Sequence, residues 1–433
     1  MSQRERRWLL LILLVGTALR LGMALFLGDD VEPTPAAYDQ VYFHDVALNL
    51  LAGKGFVFAR PPWPFILPGV PTAYTSFLYE LFLAGVYFLF GPHPLAARVV
   101  QALICSLLPL QVYGLVRRIL RRSLAWDERQ AVGVALVAAA ITAGYAYFVY
   151  YAATLMTEGL YLVTVVWSLS ATLDVAEGST ARRWATWGLA VSLASLLRQV
   201  FMPMAAFLFL YALWQARRRV RVGHVALAAV VAAALILPWT VRNCLVFDRF
   251  LLLNSQAGQV FWNANHPDLG TDWEPAAMFP IPEDLQDANE VDLSNELLHR
   301  GLAEIAADPI RFARLSLARL GTFFIFWPMA ESSLYSNIAR PLSFGICLPF
   351  MLCGLVLSLR EWRRWLLLYL FISSYTFLHV ISWVQIRYRM PVDVALIPFA
   401  ALGAVALLAW LKRLVRTDSS PLARSARGSF RGQ

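Results

Sequence analysis

Lysine is almost missing from this chain: Lys54 and Lys412 are the only two among 37 basic residues, and the rest are arginine. Charge of any kind is sparse, at 15% of residues, where a soluble domain carries roughly 25%. Cysteine is scarce too. Cys105, Cys244, Cys347 and Cys353 form no CxxC or Cys/His pattern, and three sit in or beside apolar stretches. That excludes a disulfide framework and a zinc module, and leaves them as small packing residues. The six histidines are scattered with no pair at metal-ligand spacing. His44 lies near Asp39 and Asp45 and reads as a solvated surface residue. No duplicated halves or shorter repeats are visible, unlike most transporters.

What the chain has is hydrocarbon. It is 59% hydrophobic, against roughly 45–50% for soluble domains, and the apolar residues fall in blocks of about 20, the length that spans a bilayer core as a helix. Lipid offers no partner for backbone polar groups, so these blocks must be helical. The expected fold class is an all-α polytopic membrane protein. Ten spans fit, at 8–28, 96–119, 131–153, 159–176, 185–197, 200–214, 224–241, 341–359, 365–383 and 391–411. The fifth and sixth are short and read as a hairpin that does not cross fully. The first follows Arg4, Arg6 and Arg7 with no small-residue cleavage site after it, as in a retained signal anchor.

Charge sets the orientation. Arg117, Arg118, Arg121 and Arg122 follow the second span, Arg182 and Arg183 the fourth, Arg217, Arg218, Arg219 and Arg221 the sixth, and Arg360, Arg363 and Arg364 the eighth. By the positive-inside rule these loops and both termini are cytoplasmic. The cytoplasmic segments then hold 23 Arg or Lys and 7 Asp or Glu, and the remainder 14 and 21. The organisation expected is a signal-anchor helix at 1–28, a periplasmic loop with amphipathic helices at 29–95, and a transmembrane core at 96–241. A second periplasmic region at 242–340, C-terminal spans at 341–411 and a disordered cytoplasmic tail at 412–433 complete it. In the first outer loop, Asp39 to Ala52 has helical apolar spacing, a proline-rich stretch follows (Pro61, Pro62, Pro64, Pro68, Pro71), and Tyr74 to Phe90 reads as interfacial or re-entrant. Val291 to Ala307 reads as an amphipathic helix.

Polar residues at span ends facing outward need a reason. Arg20, Asp39, Arg98, Glu158, Arg198, Arg242, Arg387 and Arg389 all fall at or near that face. Arginine donates bidentate hydrogen bonds to phosphate, and a carboxylate can take a hydroxyl proton. Together, beside lipid, they suit transfer of a group from a lipid phosphate to a hydroxyl. Each also has a plainer reading. Arg20 can snorkel, Arg98 can meet any lipid phosphate, Asp39 can cap its helix, and Glu158 can stabilise a helix N-terminus.

Several stretches resemble the GT-C glycosyltransferases, in the branch of bacterial protein O-mannosyltransferases and lipid A aminoarabinose transferases, glycosyltransferase family 39 and its relatives. They are DQVYFHDVALNLLAGKGF from Asp39 to Phe56, PGVP at Pro68 to Pro71, LFG at Leu89 to Gly91 with Arg98 after it, and TE at Thr157–Glu158. LLRQVFMP at Leu196 to Pro203, PWTVRN at Pro238 to Asn243 followed by Ser255, Gly258, Trp262 and Asn265, and RYRMP at Arg387 to Pro391 complete the set. Some relatives carry an acid where this chain has Trp63, Pro64 and Phe65. The resemblance implies a GT-C bundle of about ten or more transmembrane helices and an inverting glycosyltransferase of the bacterial inner membrane that faces the periplasm. It implies a polyprenyl-phosphate sugar donor, a glycan, lipid or protein acceptor, and neither cofactor, metal nor nucleic acid. Asp39 would be the general base or the group that orients the acceptor hydroxyl, and Glu158 a second acid facing the cavity. Arg98, Arg198, Arg242, Arg387 and Arg389 would hold the donor phosphate, with Arg20, Tyr42, Asn243 and Tyr388 in support. A transporter or flippase, a structural subunit, and a ligase or polymerase of lipid-linked glycans are the rival classes. The polar groups crowd one face, which favours transfer over transport.

Overall fold

The computed structural model describes residues 1–32, 39–59, 67–121, 126–271, 279–329, 332 and 334–418. Trp63 to Phe65 and the tail from 419 lie outside them. Among the described residues the chain is helical throughout, with one isolated bridge between Val57 and Pro71. The α-helices run α1 (Gln3–Leu27), α2 (Asp39–Leu51), α3 (Phe77–Phe90), α4 (Pro94–Cys105), α5 (Leu108–Leu120), α6 (Glu128–Gly144), α7 (Ala146–Tyr151), α8 (Glu158–Glu177) and α9 (Ala181–Leu197). They continue with α10 (Phe201–Ala216), α11 (Val222–Phe247), α12 (Gln256–Asn265), α13 (Glu290–Ala307), α14 (Pro309–Phe323), α15 (Leu334–Arg340), α16 (Ile346–Ser358), α17 (Trp362–Ile381) and α18 (Met390–Asp418).

Among the described residues six stretches are long and apolar enough to cross a membrane: Gln3–Leu27, Pro94–Leu120, Glu158–Glu177, Val222–Phe247, Leu334–Ile381 and Ile386–Leu414. The stretch from Leu334 is 48 residues long, about twice what one crossing needs, and it takes in the span expected at 341–359 and all but the last two residues of that expected at 365–383. The span expected at 131–153 is broken at Tyr145, whose extended backbone separates α6 from α7. The hairpin expected at 185–214 is α9 and α10, of 17 and 16 residues. Each is about 25 Å long at 1.5 Å per residue, short of a hydrocarbon core of about 30 Å. Its tip at Arg198–Val200 meets the start of α8.

Burial follows apolarity. α8 is apolar on every side and packs against α4, α5, α9, α10 and α18, as a helix without a polar stripe must. The first half of α18 is buried continuously over 389–403. It crosses α16 at Gly354 and Gly403, where an added Cβ would stand 1.8 Å from the Phe399 carbonyl oxygen and 2.2 Å from that of Phe350. Small residues at such a crossing let two backbones meet without hydrophobic drive between them.

Helix ends buried in this bundle are closed by arginine. Arg20, fully buried, donates from Nη1 to the carbonyls of Gly16 and Ala143 at 3.0 Å and from Nη2 to that of Thr142 at 3.1 Å, closing the end of α6. Arg98 donates to Gly28 O where α1 ends (3.1 Å), to Asp30 O (2.6 Å) and to Ala153 O (2.8 Å). Arg389 donates to Phe323 O and Ile325 O at the end of α14, at 3.0 and 2.9 Å. The last carbonyls of a helix have no partner of their own, and here the guanidinium groups supply one. Replacing Arg20 by Met should cost about 1–3 kcal/mol for each carbonyl left bare. Thermal unfolding in detergent should show a clear loss, whereas Arg221→Met, at an exposed position, should change stability by less than about 0.5 kcal/mol.

Candidate active site

Four loop-to-helix junctions converge on one cavity of about 490 Å³. Asp39 is the first residue of α2, Glu158 the first of α8, Arg198 the turn between α9 and α10, and Arg387 lies in the short turn Ile386–Arg389 that leads into α18. A helix N-terminus favours a carboxylate, which places Glu158 but does not by itself justify burying it. Its neighbours do. Arg198 Nη1 donates to Glu158 Oε1 at 2.8 Å, and Arg387 Nε stands 3.5 Å from the same oxygen. Thr157 Oγ1 donates to Oε2 at 3.3 Å. Arg387 then reaches the other way, with Nη2 2.7 Å from Asp39 Oδ2. The result is a chain of alternating charge, Asp39–Arg387–Glu158–Arg198. Only Asp39, 41% exposed, opens substantially to solvent; Glu158 is at 4%. The Tyr388 ring lies against both guanidinium groups, 4.5 Å from that of Arg198 and 5.5 Å from that of Arg387. Tyr42 completes this side of the wall.

The structure thus gathers Asp39, Glu158, Arg198, Arg387, Tyr42 and Tyr388 around the cavity. Arg20, Arg98, Arg242, Arg389 and Asn243 are not among the described residues that line it. The reason is the same for each: their polar atoms are committed to backbone or to another pair. Arg20 and Arg98 close helix ends, as above, so Arg20 does not snorkel and Arg98 does not open toward lipid phosphate. Arg242 donates to Thr72 O (3.0 Å) and Asn243 Oδ1 (3.1 Å) and packs on the rings of Trp239, Phe56 and Phe247. Asn243 donates to Leu251 O and Leu253 O. Arg242 thus ties the first outer segment to α11, and Asn243 ties the stretch after α11 back onto it. Arg389 turns away from Arg387, pairing with Asp393 at 2.9 Å while Tyr145 donates to the same carboxylate at 2.8 Å. His44 is also committed, its Nδ1 2.8 Å from the Tyr87 hydroxyl. Among the described residues no three His, Cys, Asp or Glu side chains converge as a metal site.

The remaining wall carries no charge among the described residues. It is built from α12, with Gln256, Gln259 and Asn263, from Tyr74 and Asn254, and from His379 and Trp383 at the end of α17. Tyr74 donates to Gln259 Oε1 at 2.6 Å, and burial pushes its phenol well above the ordinary range. α12 is held close to α13 at Gly258, where a Cβ would fall 1.8 Å from Ser294 O.

No curated protein matches the chain by sequence. A family profile described as dolichyl-phosphate-mannose-protein mannosyltransferase matches residues 75–241, a stretch with Glu158 and Arg198 but without Asp39 or Arg387. Among solved structures, the oligosaccharyltransferase AglB from Archaeoglobus fulgidus, in complex with an inhibitory peptide and a dolichol-phosphate, superimposes with a TM-score of 0.55. The identity is 14%, over 96% of this chain and 52% of that one. The apo form of the same archaeal enzyme gives 0.56 at 13% identity, over 100% and 53%. The chain has the GT-C fold. It spans about half the length of these archaeal chains. ArnT from Cupriavidus metallidurans, in the apo state, aligns at 16% identity over 92% of this chain and 78% of that one, with a TM-score of 0.41, too loose a superposition to support an argument.

Within this GT-C bundle the α12 wall escaped the sequence reading, although a signal was present. Gln256, Gln259 and Asn263 recur at i, i+3 and i+7, one polar stripe on a helix. His379 carries no such mark, because only the tertiary fold brings α17 to the cavity. The charge chain generates a stability prediction. Glu158→Gln leaves two buried guanidinium groups facing each other across a neutral amide and should cost about 3–5 kcal/mol. Adding Arg198→Met should return much of that loss in detergent unfolding, since the remaining Arg387 keeps Asp39.

Proposed function

We propose that this chain is a membrane glycosyltransferase that moves a single sugar from a polyprenyl-phosphate carrier to an acceptor hydroxyl, with inversion, at the outer face of the membrane. The observation that carries this reading is the position of Arg387 between two carboxylates on a cavity wall, one of them open to the cavity. The cavity volume lies in the small-molecule range of roughly 300–1,000 Å³, which suits a one-sugar donor. The fold is shared with an enzyme whose structure is solved in complex with a dolichol-phosphate, a lipid phosphate of the same chemical class as the proposed carrier.

In this reaction the acceptor oxygen attacks the anomeric carbon, the bond from that carbon to the phosphate oxygen breaks, and the lipid phosphate leaves with the electron pair. Asp39 takes the acceptor proton. Arg387 and Arg198 donate to the phosphate as negative charge grows on it, an electrostatic contribution usually worth several kcal/mol. Glu158 holds both guanidinium groups in position and balances their charge while the site is empty. Donor phosphate competes with Asp39 for Arg387, so binding of the donor frees the Asp39 oxygen to meet the incoming hydroxyl.

Orientation has support from the far end of α8. There Arg118 pairs with Asp174 and Glu177, in the arginine-rich layer that the positive-inside rule puts in the cytoplasm. Glu158 sits 16 residues from Asp174 and 19 from Glu177 along the same helix, about 24–29 Å, which supports a cavity at the outer face.

Asp39→Asn keeps the shape and removes the base. Transfer from a polyprenyl-phosphate sugar should fall by at least about a hundredfold, as for loss of a general base, while undecaprenyl phosphate still binds. Turnover retained at the wild-type rate would reject the role of Asp39.

A further inference from the structure

The cavity lining holds two kinds of polar group. The four ionised side chains are two acids and two arginines, each engaged with an opposite charge. The remaining wall presents carboxamides, a phenol and an imidazole. Carboxamides donate and accept, as sugar hydroxyls do.

Two nitrogens on this wall are unspent. Gln259 is 5% exposed, and its Oε1 is taken by Tyr74 while its Nε2 has no hydrogen-bond partner among the described residues. His379 is also 5% exposed. Its Nδ1 lies 3.0 Å from the Trp383 carbonyl oxygen, which can only accept, so Nδ1 carries the proton. That leaves Nε2 as an acceptor, and it too is buried without a partner among the described residues. One donor and one acceptor are thus withheld from the protein, and a buried polar group left unmatched is costly. A hydroxyl-bearing ligand would satisfy both.

We infer that the wall formed by α12 and the end of α17 is the sugar subsite, that it selects an uncharged sugar, and that Gln259 and His379 are its specificity-determining residues. This rests on the transferase reading above. A cationic amino sugar would need a spare carboxylate and an anionic uronic sugar a spare guanidinium. The wall holds neither, and of the ionised groups Asp39 is taken by the acceptor hydroxyl while Glu158, Arg198 and Arg387 are engaged with one another and with the donor phosphate. Sites built to hydrogen-bond a hydroxyl discriminate strongly, because a wrong substrate leaves their buried groups unpaired.

The test uses the purified full chain and three ligands that displace a fluorescent undecaprenyl phosphate: undecaprenyl phosphate itself, its neutral-hexose phosphodiester and its amino-sugar phosphodiester. The neutral-sugar lipid should bind at least about tenfold tighter than the bare lipid, a gain of the size expected for one well-matched hydrogen bond to a buried group, and the amino-sugar lipid should not. Gln259→Leu and His379→Phe should each erase most of that gain and leave bare-lipid affinity unchanged, which also shows that the variants are folded. Gln259→Glu should shift preference toward the amino sugar. Bare lipid that binds with no gain from the neutral sugar, or with a larger gain from the amino sugar, would overturn this inference alone. Failure of the bare lipid to bind would overturn the transferase reading and this inference with it.

Discussion

A backbone carbonyl with no partner is expensive in a medium without water, and the architecture of this chain answers that constraint with arginine. Long, multiply donating guanidinium groups reach across from one helix to the open end of another: Arg20 to α6, Arg98 to the end of α1, Arg389 to the end of α14. Arg311 does the same for α12, where its Nη2 donates to Asn265 O at 2.9 Å and its Nη1 to His266 O at 2.8 Å. Arg319 donates to the Ala264 carbonyl of the same helix. Lysine, a point charge with three donors, does not fork between carbonyls in this way. The near-replacement of lysine by arginine thus has a use in this fold. The helices that end inside the bundle end there because something meets them.

Against that background the cavity is the place where the rule changes. Arg198 and Arg387 meet carboxylates instead of carbonyls. Every buried charge in the wall has an opposite neighbour, which is the condition for burying charge at all, yet Asp39 keeps one side toward the cavity. A group of this kind is stable when empty and can re-pair when an anion arrives. Structure and chemistry are linked through Arg387, which serves the protein by joining α2 to α8 and is proposed to serve the reaction by leaving Asp39 for phosphate.

The sequence made the bundle legible. Apolar blocks and arginine-rich loops are local, additive signals, and α2, α8 and α13 begin within a residue or two of where capping and periodicity place them. Asp39, Glu158, Arg198 and Arg387 were legible as candidates because a charge at an outward span end is anomalous. What could not be read was the partner of each arginine. Arg98 and Arg198 look alike in one dimension; one faces three carbonyls and the other a carboxylate, and only packing decides which. Arg387 and Arg389 are two residues apart and point into different surroundings, because the short turn that carries them rotates one toward α2 and the other toward α14. The α12 wall stayed hidden for a related reason. Its carboxamides carry no charge, so they break no membrane rule.

The most direct test of this account is a structure of the full chain in nanodiscs with a polyprenyl phosphate bound. The account predicts the phosphate within hydrogen-bonding distance of Arg387 and Arg198, with Asp39 no longer paired to Arg387 and its oxygen turned to the cavity. A phosphate seated instead on Arg98 or Arg242, with the Asp39–Arg387 pair intact, would contradict it.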